Sequence, residues 1–192
     1  MSKTVEMLKK YKPYNEQEKA DLQMIFEAEK KFGNILVRDN LFCHLTSSAF
    51  IMNQDHTKVL CCYHNIYKSW CWIGGHADGD DDMLYVAQKE TREETSLKNF
   101  KVVSKMPIAV DAFPVLSHVR RGKYVPAHVH FNITFLFEAN EKENVHILEE
   151  ENSNVGWLTF EELIEKSTEP HMIPAYKKVV ERIRKNKIQN RG

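Results

Sequence analysis

Residues 74–97 read GGHADGDDDMLYVAQKETREETSL, and the fold turns on how this stretch is understood. Its second half, 83–95, follows a helical pattern. At about 100° per residue, Leu84, Ala87, Thr91 and Thr95 share a stripe suited to packing on a sheet, and Glu90, Glu93 and Glu94 fall within about a 100° arc beside it. Like charges at these spacings destabilise an isolated helix by roughly 0.2–0.5 kcal/mol per pair, and a bound cation reverses that sign. Hard oxygen ligands on one rigid face suit Mg²⁺ or Mn²⁺, which keep waters and accept substrate phosphates as further ligands. Asp80, Asp81 and Asp82 stand at the helix start, where the dipole favours negative charge. Gly74 and Gly75 before them allow a tight turn and a close approach to a phosphate. The bland alternative is a solvated acidic helix face.

Outward from this segment the chain alternates in character. Residues 3–10 and 15 to about 32 read as two helices, punctuated by Pro13 and Asn15 and closed by Gly33-Asn34. Residues 44–52 and 58–64 read as strands around a turn at 53–57, and 70–73 as a short strand ending at Gly74-Gly75. Residues 100–110 look extended. The clearest alternation runs from His128 to Glu138, with Val129, Phe131, Ile133, Phe135 and Phe137 on one face and His128, His130, Asn132 and Thr134 on the other. The run 157–164 starts a short helix with Thr159 as its cap, and Pro174 opens a last helix to about 187. The expected organisation is a helical extension at 1–39, a mixed α/β domain at 40–188 and a tail at 189–192.

Composition narrows the function classes. With 192 residues, 42% of them hydrophobic, the chain can bury a real core as one domain with a short extension. Lysine plus arginine, 27, balance aspartate plus glutamate, 27, which argues against a dedicated nucleic-acid binder. No apolar run reaches the roughly 18 residues that span a bilayer. The charged N-terminus lacks a secretory signal's apolar segment. Cys43, Cys61, Cys62 and Cys71 form no CxxC pair, so the expected setting is a reducing cytoplasm with buried structural thiols.

The 74–97 segment resembles the Nudix box: Gly, five residues, Glu, seven residues, Arg-Glu, an aliphatic, any residue, Glu-Glu, any residue, Gly, an aliphatic. Gly75, Glu90, Glu93, Glu94 and Leu97 take their places at the correct spacing. The flanking elements fit the Nudix α/β/α sandwich with a mixed sheet, and GGHADGDDD is similar to a bacterial Nudix (MutT/Nudix) subgroup with a helical N-terminal extension. Four positions depart: Asp81 for Glu, Lys89 for Arg, Thr91 for the aliphatic and Ser96 for Gly. In the family the early Glu and the Arg brace the loop and helix. Asp81 is shorter and Lys89 lacks a planar fork, so the resemblance implies a weaker brace here. Ser96 forgoes glycine's easy left-handed helix end, at a cost of about 1 kcal/mol.

The resemblance implies a metal-dependent hydrolase (a pyrophosphatase in the broad sense) acting on a nucleoside diphosphate linked to another moiety. Glu90 and Glu94 would bind Mg²⁺ or Mn²⁺, Glu93 would be a third ligand or activate water, and Asp81 and Lys89 would be structural. The family's general base often lies in a later loop, where Glu149, Glu150, Glu151 and Glu138 are candidates. The expected partner is a small nucleotide-type molecule, with no membrane. The N-terminal helices would cap the pocket or build a homodimer. Two rivals remain: a nucleotide-binding module on the same fold without turnover, and an enzyme like isopentenyl diphosphate isomerase, which needs a catalytic cysteine (Cys71) and a histidine-rich metal site.

Other residues invite assignment. His128 and His130 project from one strand face and fit substrate contact, a structural role, or half of a zinc site. His76 follows the box glycine and could meet a phosphate alongside Gly75. Trp70 and Trp72 could stack a base, although core packing explains them as well. The Asp78–Asp82 cluster fails the EF-hand pattern.

Overall fold

The alternation that is clearest in the sequence becomes the spine of a mixed sheet. The computed structural model describes residues 2–120, 122–147 and 152–189. Strands β1 (Cys43–Asn53) and β9 (His128–Ala139) run parallel down its centre, with His44 opposite His130, Thr46 opposite Asn132 and Ile51 opposite Phe137. β2 (Lys58–His64) returns antiparallel to the end of β1 through the expected turn. β4 (Ile73–His76) pairs antiparallel with the first half of β1. β3 (Ser69–Cys71) lies on β2, β5 (Phe100–Val102) and β6 (Ala109–Val115) on β9, and β10 (Asn152–Thr159) on β2. β7 (His118–Arg120) and β8 (Lys123–Val125) form a separate hairpin.

Period-two patterning then builds two cores. Leu45, Ala49 and Ile51 of β1 and Phe131, Ile133, Phe135 and Phe137 of β9 face one side, as read from the alternation. They meet Met83, Val86 and Ala87 of helix α3 (Met83–Thr95), together with Leu8 of α1 (Lys3–Lys10) and Leu22 and Ile25 of α2 (Glu16–Phe32). Phe50, Met52, Val59 and Leu136 face the other side, under α4 (Phe160–Lys166) and α5 (Ile173–Gln189). The result is an α/β/α sandwich with a mixed sheet, as expected. Cys61 and Cys62, being adjacent, enter opposite cores.

Local chemistry sets the helix ends. Asn15 caps α2 by accepting from the Glu18 amide, and Gly33 ends it at φ 72°. Thr159 and Glu162 exchange side-chain and backbone bonds as a capping box on α4.

Several expectations need correction. Gly74 and Gly75 are strand residues of β4, not a tight turn, because β1 offers them a full antiparallel partner. The extended run 100–110 is broken into β5 and β6. The segment before Thr159 is strand β10 rather than part of a helix. On α3, Ala87, Thr91 and Thr95 are buried as read from the sequence, whereas Leu84 is only partly covered and Met83 and Val86 join the packed stripe instead. Trp72 is core, edge-on to Phe50 and Tyr176, and Trp70 packs on Tyr63, so neither is set out to stack a base. No helix among the described residues is long and apolar enough to cross a membrane.

The helical extension is tied into the same body. Glu18, with no exposed surface, accepts from the Tyr11 hydroxyl at 2.6 Å and the Tyr14 amide at 2.7 Å. Its carboxylate pairs with Lys178 of α5 at 3.0 Å, and Lys178 also reaches Asp111 of β6 at 2.6 Å. Of the proposed tail, residues 190–192 lie outside the described residues.

Candidate active site

Two glycines and three glutamates make the first cluster. A Cβ built on Gly75 would stand 2.4 Å from the Glu90 carboxylate carbon, and one on Gly74 would stand 2.4 Å from Ser48 Oγ. Glycine at 75 lets α3 settle this closely on β4, and glycine at 74 makes room for β1 on the other face. The space Gly75 leaves is filled by the Glu90 carboxylate, whose side chain is 15% exposed. The Gly74 amide donates to Glu94 Oε2 at 3.1 Å, and Asn152 Nδ2 donates to Glu94 Oε1 at 3.2 Å. Glu94 is buried. Glu93 is half-exposed.

A cation already sits among these acids. Lys89 Nζ lies 3.2 Å from Glu90 Oε1 and 3.1 Å from Glu93 Oε2. Burial pushes Glu90 above the ordinary carboxylate range, with Lys89 opposing. Burial lowers the Lys89 pKa, but Glu93 and Glu90 outweigh it and hold the ammonium above its usual value. The structure thus brings Glu90, Glu93 and Glu94 together with Gly75, and a positive partner favours the charged form of a carboxylate this largely covered.

Asp81 does not join them. Its carboxylate accepts from the Lys3 amide at 2.6 Å and the Thr4 amide at 3.2 Å, closing the N-terminus of α1. Burial opposes ionisation of Asp81, but these backbone donors prevail and hold it below its ordinary value. The brace to Lys89 that the resemblance implies is therefore replaced by a brace to the extension. Ser96 takes the left-handed conformation of the missing glycine, at φ 57°.

Of the expected bases, Glu149, Glu150 and Glu151 lie outside the described residues. Glu138 sits at the end of β9 remote from the histidines, bound to His56 of the β1–β2 turn at 2.7 Å. Cys71 lies 3.6 Å from Cys62, sulfur to sulfur. That contact lowers the Cys71 thiol, yet burial and nearby Glu94 leave it raised, which is the wrong direction for a reactive thiolate.

The second cluster was only partly visible in the sequence. β4 alternates, so Ile73 and Gly75 face α3 while Gly74 and His76 face the opposite side. There His76 meets His130 (Nε2–Nε2 3.2 Å), and His130 meets His128 (Nε2–Nε2 3.1 Å). His44, which sequence reading passed over, completes the group, with ring centroids 4.7 Å from His128 and His130 and 5.0 Å from His76. Burial brings His44 down to about 4 and His130 to about 2, so both are neutral at pH 7. Below them Thr46 and Ser48 both donate to Asn132 Oδ1, continuing the polar stripe of the sheet. Asn152 and His44 are the functional candidates that sequence reading missed. The alternating His-Leu-Thr-Ser-Ser run of β1 was the available signal for His44.

The chain matches the NUDIX domain family over residues 44–182. No curated protein matches it. Similar solved structures include an Ap4A hydrolase from C. elegans in a binary complex, 17% identical with TM-score 0.52, covering 70% of this chain and 93% of that one. The E. coli dihydroneopterin triphosphate pyrophosphohydrolase is 15% identical with TM-score 0.57, covering 71% and 94%. The Nudix hydrolase RenU of M. smegmatis is 11% identical with TM-score 0.52, covering 82% and 95%. At these identities the likeness is one of fold.

Proposed function

The chain belongs to the NUDIX domain family, and from that premise we propose that it hydrolyses a diphosphate linkage in a nucleoside diphosphate joined to another group, using Mg²⁺ or Mn²⁺ at Glu90, Glu93 and Glu94. Membership makes it an enzyme of the pyrophosphohydrolase class acting on small nucleotide-type substrates. The observation that carries the proposal is the partly buried Glu90 carboxylate, packed into the space left by Gly75 and held by an ammonium. An all-oxygen set of this kind fits a hard dication.

Each residue has a distinct task. Glu94 is oriented by the Gly74 amide and Asn152, which keeps its geometry fixed as the helix breathes. Glu90, partly withdrawn from water, would hold the cation. Glu93, half-exposed, faces solvent and takes the proton from the attacking water or adds a third ligand. When bound, the dication neutralises the phosphate oxygens and lowers the pKa of water. Were a dication held by Glu90 and Glu93, the Lys89 ammonium that now pairs with them would be available for a phosphate oxygen.

The test is Mg²⁺-dependent hydrolysis of a panel: ADP-ribose, NADH, dinucleoside polyphosphates, nucleotide sugars, CoA and modified nucleoside triphosphates. Wild type and Glu94→Gln are assayed side by side. Turnover of one compound class, lost in the variant, is the expected result. Binding without turnover of any compound would overturn the hydrolase reading in favour of a nucleotide-binding module.

A further inference from the structure

We propose that His44, His76 and His130, with His128 beside them, form a second metal site, an all-imidazole centre for a transition-metal dication of the zinc type, on the sheet face opposite the carboxylates. Nitrogen geometry leads there. A tetrahedral ion with metal–nitrogen bonds of about 2.0–2.1 Å holds its ligand atoms about 3.3 Å apart. His130 Nε2 lies 3.2 Å from His76 Nε2 and 3.1 Å from His128 Nε2. His44, His76 and His130 each offer a ligand nitrogen within 4.8 Å of the others.

Tautomers point the same way. His128 Nδ1 lies 2.9 Å from the Pro126 carbonyl, and His44 Nδ1 lies 3.4 Å from the Asn40 carbonyl. A carbonyl only accepts, so each Nδ1 carries the proton and each Nε2 presents a lone pair. This is the outer-shell arrangement that orients metal-bound histidines. His44 Nε2 is buried with no hydrogen-bond partner among the described residues, on a side chain whose residue is 5% exposed. His130 Nε2 faces two other ring nitrogens, and one imidazole nitrogen cannot donate to one while accepting from the other. A cation among the lone pairs satisfies all of these atoms together.

The centre is built by the sheet, not by a loop. Parallel pairing sets His44 opposite His130, antiparallel pairing sets Thr46 opposite His76, and the two-residue period of β9 adds His128 on the same face. Imidazole donors select zinc, iron, nickel or copper over magnesium, so the two faces of the sheet sort two kinds of dication.

The test uses the full chain, stripped with chelator and titrated with Co²⁺ as a spectroscopic stand-in for zinc. The expected result is one equivalent bound with the absorption of tetrahedral cobalt, displaced by Zn²⁺. Glu90→Gln/Glu94→Gln should keep that spectrum. His130→Gln should weaken binding by about 10-fold or more. His76→Gln, at the partly exposed rim, should do the same with an unchanged circular dichroism spectrum, which covers the case that the His130 variant does not fold. Absence of the cobalt spectrum in wild type, its survival in both histidine variants, or its loss in the carboxylate variant would overturn the proposal. The readout is independent of turnover, so failure here is distinct from failure of the hydrolase reading.

Discussion

Replacing Lys178 by methionine should destabilise the protein by about 3 kcal/mol at pH 7, at the lower end of the 3–5 kcal/mol seen when one partner of a buried ion pair is removed. Lys178 is 6% exposed and lies among Glu18 Oε1 at 3.0 Å, Asp111 Oδ1 at 2.6 Å and Gln17 Oε1 at 2.9 Å. Glu18 keeps the Tyr11 hydroxyl, the Tyr14 amide and Arg182 at 3.8 Å, so it is not stranded. Asp111 is: among the described residues its Oδ1 retains only Gln17 Nε2 at 3.4 Å, and its Oδ2 has no partner. Burial already raises the Asp111 pKa against the pull of Lys178, and the variant removes that pull. A carboxyl whose folded pKa exceeds its unfolded value favours folding at low pH and loses that contribution as pH rises through the folded pKa. The deficit should therefore shrink as pH falls from 7 toward the ordinary aspartate range near about 4. Urea unfolding followed by far-ultraviolet circular dichroism measures both effects. Adding Asp111→Asn to the variant should recover part of the loss. A deficit below about 1 kcal/mol, the value of an exposed pair, or one that grows on acidification would refute the reasoning.

Other substitutions test separate steps. Ser96→Gly relieves a left-handed serine at an exposed helix end and should raise stability by about 0.5–1 kcal/mol, read as a higher melting temperature. Gly75→Ala drives a methyl into the Glu90 carboxylate and should lower turnover by about 10²-fold, the cost of misplacing a reacting group by an ångström. Thr159→Ala removes the hydroxyl that accepts from the Glu162 amide, one half of the α4 capping box, and should cost about 1 kcal/mol in a denaturation curve, leaving turnover unchanged.

What was legible in the sequence was periodic. The glutamate arc on 83–95, the alternation of 128–138 and the hairpin around 53–57 each depend on spacing within one element, and each stands in the structure. What was not legible depends on register between distant elements. His44 joins the histidines only because β1 pairs in parallel with β9, and no local pattern states which residue lies opposite His130. Gly74 and Gly75 read as a turn because glycine's freedom is the local signal. Their actual role, making room for Ser48 and Glu90, exists only once β4 lies between β1 and α3. Asn152 meets Glu94 for the same reason: β10 must first pair with β2.

Two of the departures from the box, read singly, look like independent losses, and the structure makes them one arrangement. A helix start presents unsatisfied amides, and the first turn of α1 brings those of Lys3 and Thr4 to Asp81, whose main-chain oxygen also accepts from Thr4 Oγ1 at 3.0 Å. The shorter acid is thus engaged by the extension. Without an acidic partner in the loop, the residue at the arginine position has no fork to satisfy, and a lysine's single charge turns instead to Glu90 and Glu93. The extension therefore takes over bracing the box loop, while Lys89 neutralises the carboxylates of Glu90 and Glu93, where the proposed dication would take its place. On this account Asp81→Ala loosens α1 and lowers stability but leaves the Lys89 pairs standing, whereas Lys89→Met leaves α1 docked and raises the charge repulsion among the glutamates, tightening dication binding at the expense of the metal-free fold.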